Sequence, residues 1–178
     1  MKNFAIPTKE EVSENNQAIF DKLNKGLGMV PNLYAYFSKS ETALGDYLTL
    51  QNRKTSLRPK EKEVVNLVVS QVNNCEYCLA AHTAIGKMNG FTDEQILEIR
   101  SGKAGFDSKL DALAKFTKDI TINRGTPSAD ALTALFDAGY TEAGLIDIII
   151  LIGDKMISNF IHGATKLPVD FPAAPALN

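Results

Sequence analysis

Helix punctuation recurs along the whole chain, and it constrains the fold more than any other feature. Thr8-x-x-Glu11 and Thr92-x-x-Gln95 have the capping-box form, in which a hydroxyl and a carboxylate or amide satisfy free N–H groups at a helix start. Pro59 suits a first helical position, because its missing N–H would have no partner there. Gly28, Gly90 and Gly139 fall where helices end. Between these marks the chain reads as helices over 8–25, 33–37, 41–54, 59–72, 75–89, 93–100, 107–121, 127–138 and 141–161. Leu110, Leu113, Phe116 and Ile120 show the 3–4 spacing of an amphipathic face. One segment argues for a strand, the β-branched run Val64-Val65-Asn66-Leu67-Val68-Val69. Helix is preferred, since Glu61 and Glu63 suit a first turn and a lone strand would have no partner.

The expected fold is therefore all-α, a single domain over 1–178 packed as a bundle of about seven or eight helices. Leu167 and Pro168, Pro172 and Pro175 mark 164–178 as an extended Pro-rich tail. The segment from Leu145 to Phe160 is apolar on most sides, which suits the centre of the bundle or a subunit interface. Phe20, Tyr34, Phe37, Tyr47 and Phe116 read as core or interface aromatics.

Charge excludes some partners. Lys plus Arg is 19 and Asp plus Glu is 21, a net charge of −2, so no basic excess points to nucleic acid. The longest apolar stretch, Leu145 to Ile152, contains Asp147 and falls far short of the ~20 residues of a membrane span. Pro7 and Lys9 interrupt the N-terminal stretch before a leader-like apolar core forms. The expectation is a soluble cytoplasmic protein without a cofactor.

The reactive inventory is small: two cysteines and two histidines. Both cysteines and one histidine fall in Cys75-Glu76-Tyr77-Cys78-Leu79-Ala80-Ala81-His82, a C-x-x-C-x-x-x-H. On a helix these three side chains share a strip about 60° wide, with Cys78 and His82 adjacent at i and i+4. If Asn74 caps this helix, the thiols lie at its N-terminus, where free N–H groups and the helix dipole favour a thiolate. The break at Asn73-Asn74 turns the chain into an antiparallel hairpin. Glu63 then lies about 16 Å from the turn, His82 about 13 Å and Cys78 about 7 Å, so the carboxylate and the imidazole are nearly level. A carboxylate beside an imidazole orients it and holds its charge while it exchanges a proton with a thiol. Other readings remain: two small buried hydrophobes, a zinc-stabilised helical protein lacking its fourth ligand, or a non-catalytic redox-sensing oligomer. A thioredoxin-like site would need βαβ context, which is not seen. His162 carries no assigned role.

Glu63 followed twelve residues later by C-x-x-C-x-x-x-H, all on helices, resembles the alkylhydroperoxidase D-like branch of the carboxymuconolactone decarboxylase family. The resemblance covers roughly residues 30 to 163 and is sharpest over 59–90. It implies a homo-oligomer, a trimer or hexamer. It also implies a thiol-dependent peroxidase in which Cys78 attacks an organic hydroperoxide or hydrogen peroxide and Cys75 resolves the sulfenic acid as a disulfide. Glu63 and His82 would form the proton relay, and an external dithiol would restore the thiols, reaching the more exposed Cys75. The chain departs from the family where Tyr77 replaces a histidine before the second cysteine, which thins the proton network. The wider family's decarboxylases lack the cysteine pair, which argues against that chemistry here.

Overall fold

A computed structural model describes residues 4–177. Residues 1–3, part of the N-terminal stretch expected to lack a leader-like core, lie outside them. The described residues form nine α-helices after one 3-10 turn: α1 (Glu14–Leu27), α2 (Asn32–Phe37), α3 (Ala43–Gln51), α4 (Pro59–Val72), α5 (Glu76–Met88), α6 (Asp93–Arg100), α7 (Ser108–Ile122), α8 (Ala129–Asp137) and α9 (Glu142–Thr165). The all-α bundle stands, and the described residues give nine helices, one for each segment marked in the sequence and more than the seven or eight expected of the bundle. None of them is long and apolar enough to cross a membrane.

Several boundaries moved for local reasons. The Thr8 box opens only a 3-10 turn, Lys9–Glu11, in which Glu11 accepts the Thr8 N–H at 2.8 Å. A new helix then starts at Glu14, where Ser13 Oγ accepts the Asn16 N–H. Ser128 rather than Pro127 sets the start of α8, because its hydroxyl caps the Ala131 N–H. Helix α9 runs four residues past Ile161 and stops at Lys166, which takes a left-handed φ of 52°. The tail thus starts at 166, not 164. It is tied down: Asp170 accepts the Asn32 N–H at 2.6 Å and Arg100 donates to the Pro175 carbonyl at 2.6 Å.

Helix α4 is the centre of the bundle, packed against α5, α6, α7 and α9. Val64, Val65, Leu67, Val68 and Val69 are all buried on it. The β-branched run costs a few tenths of a kcal/mol per residue as helix, whereas burying each side chain contributes about 1.5–3 kcal/mol. Burial wins, and the strand propensity is overridden. One apolar core joins α4 to α6, α7, α8 and α9 through Ile96, Leu113, Phe116, Leu135 and Ile148. A second core gathers Phe20, Leu33, Phe37, Leu44 and Tyr47 of α1–α3 with Tyr77 and both cysteines.

Helix α9 reverses the expected logic. It is not buried all round: Ile146 and Phe160 are each 58% exposed, and Ile149 and Ile157 also face outward. Its buried side carries Asp147, Asp154, Lys155, Ser158, Asn159 and His162. Asp147 anchors the loop before α4, accepting the Ser56 N–H and hydroxyl at 2.7 Å each and pairing with Arg53 at 2.7 Å. Those hydrogen bonds, the Ser56 N–H first, hold its carboxyl far below the usual range despite burial.

Candidate active site

The hairpin between α4 and α5 seats the thiols. Asn74 does not cap α5. It takes a left-handed φ of 51° and closes α4 instead. Its N–H donates to the Gln71 carbonyl at 3.1 Å, and the Cys75 N–H donates to the Ser70 carbonyl at 2.9 Å. This paired closure is the Schellman arrangement, with Asn in the position glycine usually takes. The chain re-enters a helix at once, so Cys75 becomes the N-cap of α5 and its sulfur accepts the Cys78 N–H at 3.3 Å. A thiol here does the work of a capping hydroxyl.

Cys75 and Cys78 are free thiols 2.7 Å apart, with Cys75 donating to Cys78. The Cys78 sulfur also meets Ser158 Oγ of α9 at 3.8 Å. The hydrogen bond from Cys75 lowers the Cys78 thiol to about 6, against the opposing effect of burial, and the charges of Lys155 and His82 add to the lowering. Cys75 moves the other way, because its proton is held in that hydrogen bond and the site is buried. The pair is thus divided into a thiolate, Cys78, and a thiol, Cys75. Neither is exposed: Cys75 is 2% and Cys78 3% accessible. The expected exposure of Cys75 at the helix start is corrected, since α1–α3 and the tail cover that end of α5.

Glu63 and His82 meet, with Oε2 and Nδ1 2.8 Å apart. Asn66 donates to the other carboxylate oxygen at 2.9 Å. Burial would raise the Glu63 carboxyl, but the charge and hydrogen bond of His82, with Asn66 and Lys155, hold it below the ordinary range. With Nδ1 tied to Glu63, Nε2 is the ring nitrogen left for proton transfer. His82 makes no direct hydrogen bond to Cys78, whose sulfur is occupied by Cys75 and Ser158. Both residues line one cavity of about 430 Å³. Its walls are mostly apolar and aromatic, including Leu27, Met29, Tyr34, Tyr47, Ile85 and Phe171. Burial raises the Tyr34 hydroxyl to about 12, so it stays neutral. Tyr77 packs edge-on against Phe171 and its hydroxyl accepts the Leu33 N–H at 3.2 Å, which is a packing position. His162 is buried and holds the tail through Nε2 to the Leu167 carbonyl at 3.1 Å. Among the described residues, no three His, Cys, Asp or Glu side chains converge as a metal site.

Sequence reasoning missed the contribution of α9. Lys155 and Ser158 line the cavity. Asn159 bridges the Asn73 amide at 3.0 Å and the Ser70 hydroxyl at 3.4 Å behind the hairpin turn. The signal was present as a 3–4 repeat of polar residues, 147, 154–155, 158–159 and 162, inside an otherwise apolar helix.

This arrangement of helices is the alkylhydroperoxidase D-like fold. An uncharacterized peroxidase-related protein from Ralstonia eutropha JMP134, with an alkylhydroperoxidase AhpD core, superposes with a TM-score of 0.84 at 17% identity, over 94% of this chain and 92% of its own. A second peroxidase-related protein, from Silicibacter sp. TM1040, gives 0.79 at 20% identity, over 94% and 90%. The debrominase Bmp8 in complex with 2,3,4-tribromopyrrole gives 0.77 at 14%, over 96% and 93%. Residues 39–117 match the family model of the carboxymuconolactone decarboxylase family. That segment carries Glu63, Cys75, Cys78 and His82. No curated protein sequence matches the chain.

Proposed function

We propose that this chain is a thiol-dependent peroxidase acting on an organic hydroperoxide. The observation that carries the reading is the thiol pair, 2.7 Å apart and polarised so that the sulfur on the cavity wall is the anion. The Cys78 thiolate attacks the terminal oxygen of the O–O bond, an S–O bond forms, and the alcohol leaves. Cys75 then condenses with the sulfenic acid to a disulfide with loss of water. An external dithiol restores both thiols by exchange through a mixed disulfide. The Glu63–His82 pair moves protons between the site and the cavity.

The cavity supports an organic peroxide over hydrogen peroxide, since about 430 Å³ of largely apolar volume far exceeds the ~30 Å³ share of one water-sized molecule. Because Cys78 and not Cys75 lines that cavity, the reductant reaches the disulfide from the Cys78 side. The outward apolar residues of α9, Ile146, Ile149, Ile157 and Phe160, support a homo-oligomer built on that helix. A compartment that keeps thiols reduced, such as the cytoplasm, suits the chemistry.

The test is peroxide consumption with a dithiol in large excess over protein. Wild type turns over many times and Cys78→Ser does not. Absence of turnover in wild type, or equal turnover in Cys78→Ser, overturns the peroxidase reading.

A further inference from the structure

Lys155 of α9 is 3% exposed. A buried ammonium is costly unless something pairs with it. Among the described residues no carboxylate lies within 4.0 Å of it, although seven other such pairs form. The neighbouring acids do not pair with it. Glu63 is held by His82 and Asn66, and Asp154, whose buried Oδ1 has no hydrogen-bond partner, lies toward Tyr47 and a separate cavity lined by Arg53 and Lys62. Lys155 instead lines the Cys78 cavity together with His82 and Ser158. Ser158 links the two sides, its hydroxyl donating to the Lys155 carbonyl at 2.9 Å while lying 3.8 Å from the Cys78 sulfur. The groups facing Lys155 are Cys75 at the start of α5, Cys78 and His82 of α5, Glu63 of α4, and the tyrosines of α2 and α3. Of the two thiols only Cys78 lines the cavity.

We propose that Lys155 is a further catalytic residue of this site, the cation that receives the negative charge released when the peroxide O–O bond breaks. This rests on the peroxidase reading above. In the step, the thiolate electron pair forms the S–O bond to the terminal oxygen. The O–O bond pair departs with the inner oxygen as an alkoxide. Lys155 Nζ–H delivers its proton to that oxygen, giving the alcohol and a neutral amine, and Cys78 is left as the sulfenic acid. The amine regains a proton through the cavity. An alkoxide is a poor leaving group in an apolar cavity, so a cation placed beside the reacting oxygens supplies what the solvent would otherwise provide.

The experiment compares two oxidants with Lys155, Lys155→Met and Lys155→Arg proteins. tert-Butyl hydroperoxide releases a strongly basic alkoxide, and peracetic acid releases acetate, which needs no stabilisation. Single-turnover rates of Cys78 oxidation are divided by the thiolate fraction measured for each variant, which removes any effect of Lys155 on thiol ionisation. Lys155→Met should lose at least tenfold with tert-butyl hydroperoxide and less than threefold with peracetic acid, and Lys155→Arg should recover most of the loss. Reaction with peracetic acid also reports that the variant site is folded. Equal losses with both oxidants, or no loss with either, overturn the assignment of Lys155. Wild-type Cys78 that is inert to both oxidants overturns the peroxidase reading and this inference with it.

Discussion

Replacing Cys75 with alanine removes the donor that most strongly lowers the Cys78 thiol. A hydrogen bond to a charged group is worth about 1.5–3 kcal/mol, and about 1.4 kcal/mol corresponds to one pH unit. The Cys78 midpoint should therefore rise from about 6 by about one to two pH units. At pH 7 the thiolate fraction falls from about nine-tenths to between about a half and a tenth. Water entering the vacated space would ease the burial of Cys78, which places the outcome toward the smaller change. Alanine also removes the N-cap acceptor of α5, at about 1 kcal/mol of stability. Cys75→Ser keeps a hydroxyl that both donates and accepts, so its midpoint should lie between wild type and alanine. The assay is the rate of iodoacetamide alkylation against pH. Cys75 does not interfere in wild type, because its own thiol is raised and stays protonated. A Cys75→Ala midpoint at or below the wild-type value would refute the polarised pair.

Glu63 is held below its ordinary range, so its contribution to stability is full above about pH 4.5 and is lost as pH falls through the folded value. The urea-stability gap between wild type and Glu63→Gln should shrink on acidification from pH 6 toward 3, and a gap independent of pH refutes the pairing. In turnover, Glu63→Gln should cost about a hundredfold through misoriented His82, with Cys78 alkylation at high pH unaffected. Phe116 is fully buried beside α4, so Phe116→Ala should lose about 3–5 kcal/mol in urea unfolding, and a loss under 1.5 would show that the site is not close-packed. Light scattering should show wild type assembled and Ile149→Asp, on the outward face of α9, dissociated; a monomeric wild type removes the homo-oligomer.

Local chemistry was legible in the residues alone. Helix starts and stops depend on groups within a few positions of one another, so Pro59, Thr92 and Gly90 mark their boundaries wherever the helices end up in space. The register of Cys78 and His82 follows from helical pitch, and the level of Glu63 from hairpin geometry, as the meeting of Glu63 and His82 at 2.8 Å reflects. Three things needed the folded chain. The Val64–Val69 run is central because four helices surround it, a fact about packing rather than propensity. The burial of both cysteines depends on α1–α3 closing over the start of α5. The division of α9, with Asp147, Asp154 and Lys155 inward and Ile146, Ile149 and Ile157 outward, is decided by what each face meets. Periodicity shows that a helix has two faces, but only long-range contact assigns one of them to the thiols, and that assignment is what puts Lys155 in the site.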